Sequence, residues 1–408
     1  MKGAPKENRP KIYHASDHDI DPSQIDKDAL YVIHRLTRAG FTAYLVGGSV
    51  RDLLRKKAPK DFDISTSARP EEVRALFGRQ CLLIGRRFRL AHIRFGHKVI
   101  EVATFRSGET SDDLITQDNV WGTEYEDVMR RDFTLNGLCY DPEKHAVIDY
   151  VGGWDDIHKG ILRTIGEPEA RFRQDPVRMI RLLKFRARFR YEIESQAKKA
   201  LLKCRSEIGK SAPARVLEEI FRMLESGYSA PFFQLMVESR LLELLFPKLA
   251  REFLSEGDRF YRYLIAADVI NQQSAKKPIE RGLLIATLLF PVADKLLQEN
   301  WVQKGQLPHL GQIHTAVYET LKSALISSFP HFPRRIGAIA VQAITNQYRL
   351  IPLSGKKPHP GRILRSRDFP EALLLLKIRA EAEGHLKPLF EEWREQYVRL
   401  SHSGGRKS

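Results

Sequence analysis

Two aspartates bracket a phenylalanine in Lys60-Asp61-Phe62-Asp63-Ile64-Ser65. In an extended strand alternate residues share a face, so both carboxylates project together while Phe62 points to the core behind them. Carboxylates roughly 6–7 Å apart along a strand can bridge a pair of metal ions. Two metals about 4 Å apart can clamp the attacking and leaving oxygens of an in-line phosphoryl displacement. Hard oxygen ligands and a phosphate substrate suit Mg²⁺. Alone the pair is a weak signal, because most such pairs are solvated turns or helix caps.

A second piece precedes it. Leu45-Val46-Gly47-Gly48-Ser49 sets two glycines between a strand and a helix. Glycine lets the backbone approach a ligand closely, and N–H groups at the helix start can hold a triphosphate. Arg51 is placed to add charge and Asp52 to orient it. A lone Gly-Gly is ordinarily a simple turn; a strand, two glycines and a helix followed shortly by Asp-x-Asp is harder to dismiss. The third piece is Glu101 within Val99-Ile100-Glu101-Val102-Ala103. A charge in so apolar a strand is costly to bury unless paired or metal-bound. An exposed edge strand explains it equally well in isolation, but beside two other carboxylates a third metal-site carboxylate is the better reading.

The elements that must position these groups follow from periodicity. Apolar residues at helical spacing (Ile25, Leu30, Ile33, Leu36) predict a helix stopped by Gly40. Strands are expected at 41–46, 61–65, 82–84, 90–95 and 98–105, with a turn at Gly96-His97, and helices at 50–54 and from Ser67 or Pro70 to Phe77. Beyond Asp175-Pro176 almost everything reads helical, with breaks at Gly209, Pro213, Gly227, Pro247 and Pro291. No fixed-period repeat emerges, so irregular helical bundles are expected there.

With 408 residues, two to four domains are expected. A formal charge of +16 suits a polyanionic partner, although an anionic membrane surface or a solubility surplus would fit the number alone. Two clusters carry it: Arg171, Arg173, Arg178, Arg181, Lys184, Arg186, Arg188 and Arg190, then Lys356, Lys357, Arg362, Arg365 and Arg367. Phe185 and Phe189 lie at helical core spacing and read as packing. Cys81, Cys139 and Cys204 form no paired motif, which argues against a disulfide framework or zinc site and favours a reducing cytoplasm. The polar, basic N-terminus lacks a signal-peptide core, and the apolar run around 283–293 is too short to span a bilayer and ends at Pro291.

The segments LVGGSVRDLL, KDFDIS, RRDFTLNGL and RFRQDPVRMIRLLKFRARF, in that order, resemble the class II family of bacterial poly(A) polymerases and CCA-adding tRNA nucleotidyltransferases, nearly continuously from about residue 40 to 250. The resemblance implies an α+β fold: a polymerase-beta-like nucleotidyltransferase head with a mixed sheet (23–165), then an all-α neck (166–250) and body and tail (251–400), between disordered segments 1–22 and 401–408. It implies ATP as substrate, RNA 3′ ends as partner, no membrane, and two Mg²⁺ ions held by Asp61, Asp63 and Glu101. Gly47, Gly48, Ser49, Arg51 and Asp52 would bind nucleotide, with Arg131 on phosphate, Asp132 on a ribose hydroxyl and Asn136 nearby. Asp175 and Arg178 would read the base edge. Gln174 stands where the family has Glu, which puts nucleotide selectivity in question more than catalysis. Without the family, Asp175-Pro176 is good helix-capping chemistry. Arg181, Lys184, Arg186, Arg188 and the second cluster are candidates to track RNA.

Leu83-Ile84-Gly85-Arg86-Arg87-Phe88-Arg89-Leu90-Ala91-His92 and, more loosely, the stretch from Phe369 to Trp393 are similar to bacterial poly(A) polymerases. Template-independent adenylate addition is therefore the expected activity. CCA addition is the alternative, and an inactive RNA-binding protein is a third reading that the intact carboxylates oppose.

Overall fold

In the computed structural model the described residues are 9–85, 90–107, 120–274, 277–355 and 359–404. They divide into two compact units. The first takes in the described residues up to Leu182 and Arg190–Cys204; the second takes Leu183–Phe189 and the chain from Arg205 onward. Helices that follow residue 165 also pack within the first unit, α6 (Pro168–Gln174) against α8 (Ser195–Cys204).

The first unit is built on a mixed sheet of eight strands: β1 (Lys11–Tyr13), β2 (Ala43–Val46), β3 (Asp63–Thr66), β4 (Cys81–Ile84), β5 (Leu90–Phe95), β6 (Lys98–Thr104), β7 (Leu138–Asp141) and β8 (Ala146–Asp149). Their spatial order is β1-β8-β7-β2-β3-β6-β5-β4. Only β3 and β6 run parallel; the other pairs are antiparallel. Strands β2 to β6 fall where alternation put them, except that β3 begins at Asp63 and leaves Asp61 and Phe62 outside the ladder. Phe62 is half-buried, not a core residue. The hairpin β7–β8 was not anticipated, and neither was β1. Residues 11–13, expected to be disordered, pair with β8, and Tyr13 stacks on Trp154 at 4.1 Å. A charged composition predicts disorder only where no partner strand and ring are available.

Among the helices, α1 (Lys27–Arg38) starts at Asp26, whose side chain accepts from the N–H groups of Asp28 and Ala29. The others of this unit are α2 (Gly48–Leu54), α3 (Pro70–Phe77), α4 (Glu124–Arg130), α5 (Gly153–Lys159), α6, the first part of α7 (Val177–Phe189), and α8. Tyr44, Val46, Cys139 and Ile148, on one sheet face, pack with Phe105 and with Val128 of α4.

The second unit is helical, running through α9 (Pro213–Glu225), α10 (Ser229–Glu238), α11 (Leu241–Leu245), α12 (Pro247–Gln273), α13 (Arg281–Asn300), α14 (Leu310–Leu321), α15 (Arg334–Leu350), α16 (Pro360–Leu364), α17 (Phe369–Glu383) and α18 (Lys387–Gly404). Pro213 and Pro247 open helices as expected, since a first-turn residue needs no donor. Pro291 does not break the chain: it lies inside α13. The surrounding residues from Gly282 to Ala293 are all buried, and that packing offsets the roughly 3 kcal/mol an interior proline costs. Asp268 of α12 caps α10, accepting from the Ser229 N–H at 2.8 Å, the Ser229 hydroxyl at 2.7 Å and the Ala230 N–H at 2.9 Å. Phe185 and Phe189 are buried and stacked 5.7 Å apart, as their spacing predicts.

Candidate active site

Strand register places the acidic residues. Val46 pairs with Asp63 across β2–β3, and Ile64 with Val102 across β3–β6, so one step back Asp63 faces Glu101. Glu101 in turn pairs with His92 across β5–β6. Paired residues share a face, so Val46, Asp63, Glu101 and His92 form a row across the sheet, with neighbours about 4.8 Å apart. Asp61 sits just before the row, solvent-exposed. Asp63 keeps an exposed edge, yet its carboxyl is held above the ordinary range. Crowding by the protein is the first cause, then the charges of Glu101 and Asp61, with Arg131 pulling the other way. The His92 Nε2 stands 3.4 Å from a Glu101 oxygen. Mutually repelling, solvent-facing oxygen donors are the chemistry a hard divalent cation would relieve. Among the described residues no group of three or more His, Cys, Asp or Glu converges closely enough to cage an ion on its own.

The glycine pair abuts this row. Gly47 has φ +70° and ψ −124°, a conformation L side chains avoid, and a Cβ there would lie 3.0 Å from the Arg131 Nη1. The Ser49 hydroxyl donates to the Val46 carbonyl at 3.1 Å. Arg51 is buried; it donates to Asp52 at 2.9 Å and to the Asn136 oxygen at 2.6 Å. Asp52 therefore orients Arg51 as expected, but the guanidinium is directed into the protein. Asn136 passes the chain on to Asp132, 3.0 Å away. Asp132 is buried as well, accepting from the Phe133 N–H at 2.8 Å and from the Arg181 Nε at 2.7 Å. Burial works against its ionised form, but Arg181 and these donors outweigh it and depress the carboxyl. Arg181, expected on RNA, is thus engaged with Asp132, and Asp132 is a hub that locks the loop holding Asn136.

Arg131 lies over the same face as the carboxylates. It donates to the Ser65 hydroxyl at 3.2 Å and to Asp127, one helical turn earlier, at 3.0 Å. Burial disfavours its charge, but Asp127 more than compensates, and its pKa rises. Asp175 and Arg178 gather with Arg171 beside the end of α4. Arg178 is buried and donates to the carbonyls of Arg171 at 3.2 Å and Arg130 at 3.0 Å. Arg171 donates to the carbonyls of Met129, Arg130 and Arg131 and to the Gln174 side chain at 3.0 Å. Burial and the neighbouring Arg178 push Arg171 down to about 10. Arg171 belongs to this internal cap and not to an outward basic face.

Of the remaining expected RNA contacts, Lys184 pairs with Glu219, and Arg188 is exposed beside the Phe189 ring. Arg186 is half-buried, while Arg362, Arg365 and Arg367 are exposed. Lys356, Lys357 and the stretch 86–89 lie outside the described residues.

Sequence reasoning missed Asp127, although its four-residue spacing from Arg131 was readable. It also missed Asp149 and Asp156. Asp149 accepts the N–H groups of Val151, Gly152, Gly153 and Trp154 and so starts α5. Asp156 accepts from the Thr134 hydroxyl at 2.7 Å, tying α5 to the Asn136 loop. The Asp149 contacts are local, but nothing nearby in the sequence announces the pair of Asp156 with Thr134, 22 residues apart.

Comparison with known proteins extends this geometry. A family model described as the poly A polymerase head domain matches residues 43–163, and one described as a "probable RNA and SrmB-binding site of polymerase A" matches 190–253. Poly(A) polymerase I of Salmonella typhi is 36% identical over 399 residues, covering 93% of this chain and 84% of that protein. The Haemophilus influenzae poly(A) polymerase I is 34% identical, covering 95% and 87%. The CCA-adding enzyme of Lactobacillus helveticus is 35% identical, but over 53% of this chain and 54% of its own. The crystal structure of the Bacillus stearothermophilus CCA-adding enzyme in complex with CTP shares the fold, with a TM-score of 0.66 at 24% identity over 92% of this chain and 82% of that one. Head, motifs and near-full-length likeness agree: the chain belongs to the bacterial poly(A) polymerases, polynucleotide adenylyltransferases of the family that also contains the CCA-adding enzymes.

Proposed function

We propose that this protein extends RNA 3′ ends with adenylates from ATP, without a template. The observation that carries the choice of product is coverage. Sequence likeness to poly(A) polymerase I runs through 93% of the chain, whereas sequence likeness to the CCA-adding enzyme of Lactobacillus helveticus covers 53%, although the fold is shared with a CCA-adding enzyme throughout. In the reaction the RNA 3′-oxygen forms a bond to the α-phosphorus of ATP, the bond to the pyrophosphate oxygen breaks, and the hydroxyl proton leaves to solvent. Asp61, Asp63 and Glu101 would hold Mg²⁺, which when bound supplies positive charge at the attacking and leaving oxygens. Arg131, fixed by Asp127 and Ser65 and set against Gly47, is the side chain best placed to meet the triphosphate. Asp175 and Arg178 are assigned to the base edge, with Gln174 in place of a carboxylate beside Arg171.

The test supplies all four NTPs with a tRNA lacking its terminal CCA and with a generic unstructured RNA. A long adenylate tract on the generic RNA is expected, with some misincorporation. Addition of C-C-A alone to the tRNA, with the other RNA ignored, would show a CCA-adding enzyme instead. No incorporation at all would leave an RNA-binding protein. No helix among the described residues is long and apolar enough to cross a membrane, and a cytoplasmic location is part of the proposal.

A further inference from the structure

The second unit contains a pocket of about 680 Å³ between α14, α15 and α16, within the roughly 300–1,000 Å³ typical of small-molecule sites. Its polar lining is of one sign: Arg349, Arg362, His309 and His359 reach it, with Ser354, and none of the described lining residues is acidic. The remaining wall is mostly aliphatic, with Tyr348 its one aromatic ring among the described lining residues. Leu307 and Leu310 line it while 60% and 44% exposed, so their side chains are open to a ligand. The His309 Nδ1 accepts from the N–H groups of Gly311 and Gln312, at 3.1 and 3.3 Å, so its proton resides on Nε2 and that nitrogen is a donor. Arg349 is braced by Asn346 at 3.3 Å.

Cationic and neutral donors in one pocket with apolar side chains fit a group with a phosphate at one end and a flat, weakly polar body at the other. We infer that this pocket binds one nucleotide of the RNA strand, its phosphate on Arg362 and Arg349 and its base and ribose against Leu307 and Leu310. It lies outside the segments 43–163 and 190–253 matched by the family models. The inference rests on the reading of RNA as substrate, and it separates Arg362 from Arg365 and Arg367, which do not line the pocket.

The experiment uses the full chain and a fluorescein-labelled 20-mer oligoadenylate, with affinity read by anisotropy without ATP or Mg²⁺. Arg362→Glu should weaken binding at least about tenfold and lower the salt slope by about one. Arg367→Glu, the same charge change outside the pocket, should weaken it less than about threefold. Leu307→Ala should reduce affinity with an unchanged salt slope, which a purely electrostatic patch would not do. Equal losses for Arg362→Glu and Arg367→Glu, or no loss for Leu307→Ala, would overturn the inference. So would loss of polyglutamate binding in Arg362→Glu with oligoadenylate retained, since the pocket would then serve an acidic protein. Binding is measured apart from catalysis, so a chain that adds no nucleotide but loses RNA through Arg362→Glu refutes only the proposed function. A chain that adenylates RNA but ignores Arg362→Glu refutes only the pocket.

Discussion

Asp63 is held in a state it would not choose alone: its carboxyl is crowded and faces Glu101 and Asp61, so folding works against its charge. For a carboxyl raised in the folded state, stability increases as pH falls through its folded pKa and is lower where it is ionised. At neutral pH without Mg²⁺, Asp63→Asn should therefore leave Tm unchanged or raised. Adding Mg²⁺ should raise the Tm of the wild type and not of the variant, because a ligand stabilises only the form that binds it. Activity should fall by about 10²–10³-fold or more, the equivalent of several kcal/mol of lost charge stabilisation. A lowered Tm in the metal-free variant would contradict the repulsion described. The same shift sets a pH expectation. With Mg²⁺ held at Asp63 as proposed, protons would compete with it above the ordinary aspartate range, and the Mg²⁺ concentration for half-maximal activity should already climb there as pH falls. Gly47→Ala is the complementary backbone test. It meets both a positive φ and the Arg131 Nη1 at 3.0 Å, and should raise the KM for ATP more than it lowers Tm.

At the scale of elements, the end of α4 depends on Arg171, whose guanidinium gathers three main-chain carbonyls. Arg171→Met should destabilise the first unit by about 1.5–3 kcal/mol, the usual worth of hydrogen bonds to a charged group, read by thermal unfolding. Gln174→Glu sets a carboxylate against that buried cation. It should raise Tm and sharpen the preference of kcat/KM for ATP over the other nucleotides; unchanged selectivity would detach Gln174 from base choice. Strands β2 to β6 were legible because alternation and turn residues are local signals, whereas the row of Asp63, Glu101 and His92 is set by strand pairings that no local signal carries. The loop from Asp132 to Asn136 was legible as a motif but not in its wiring. Arg51 reads as a nucleotide-binding charge and Arg181 as an RNA contact, and only the fold brings Asn136 and Asp132 to them across 85 and 49 residues of sequence. Part of the basic run in α6 and α7, Arg171, Arg178 and Arg181, is engaged inside the first unit in the same way, while Arg173 and Arg188 are exposed. Spacing reveals that arginines share a helix, whereas their acceptors, the carbonyls ending α4 among them, are tertiary.

Across the whole molecule, +16 of formal charge should make RNA binding steeply salt-dependent. An affinity that barely changes between about 50 and 200 mM salt would place the basic residues in structural roles alone. Charge also disguised the beginning of the chain. Residues 11–13 cap the sheet by pairing with β8, and Tyr13 lies flat on Trp154 of α5, the helix that Asp156 ties to the Asn136 loop. Trimming the first fourteen residues would uncover an unpaired strand margin, an invitation to end-on assembly with a second molecule. It would also remove the weight resting on α5. A shortened protein should form concentration-dependent oligomers in light scattering and show faster amide exchange at Ile148 and around Asn136, so a start site or tag chosen a dozen residues too late would change the behaviour of the Asn136 loop more than a hundred positions away.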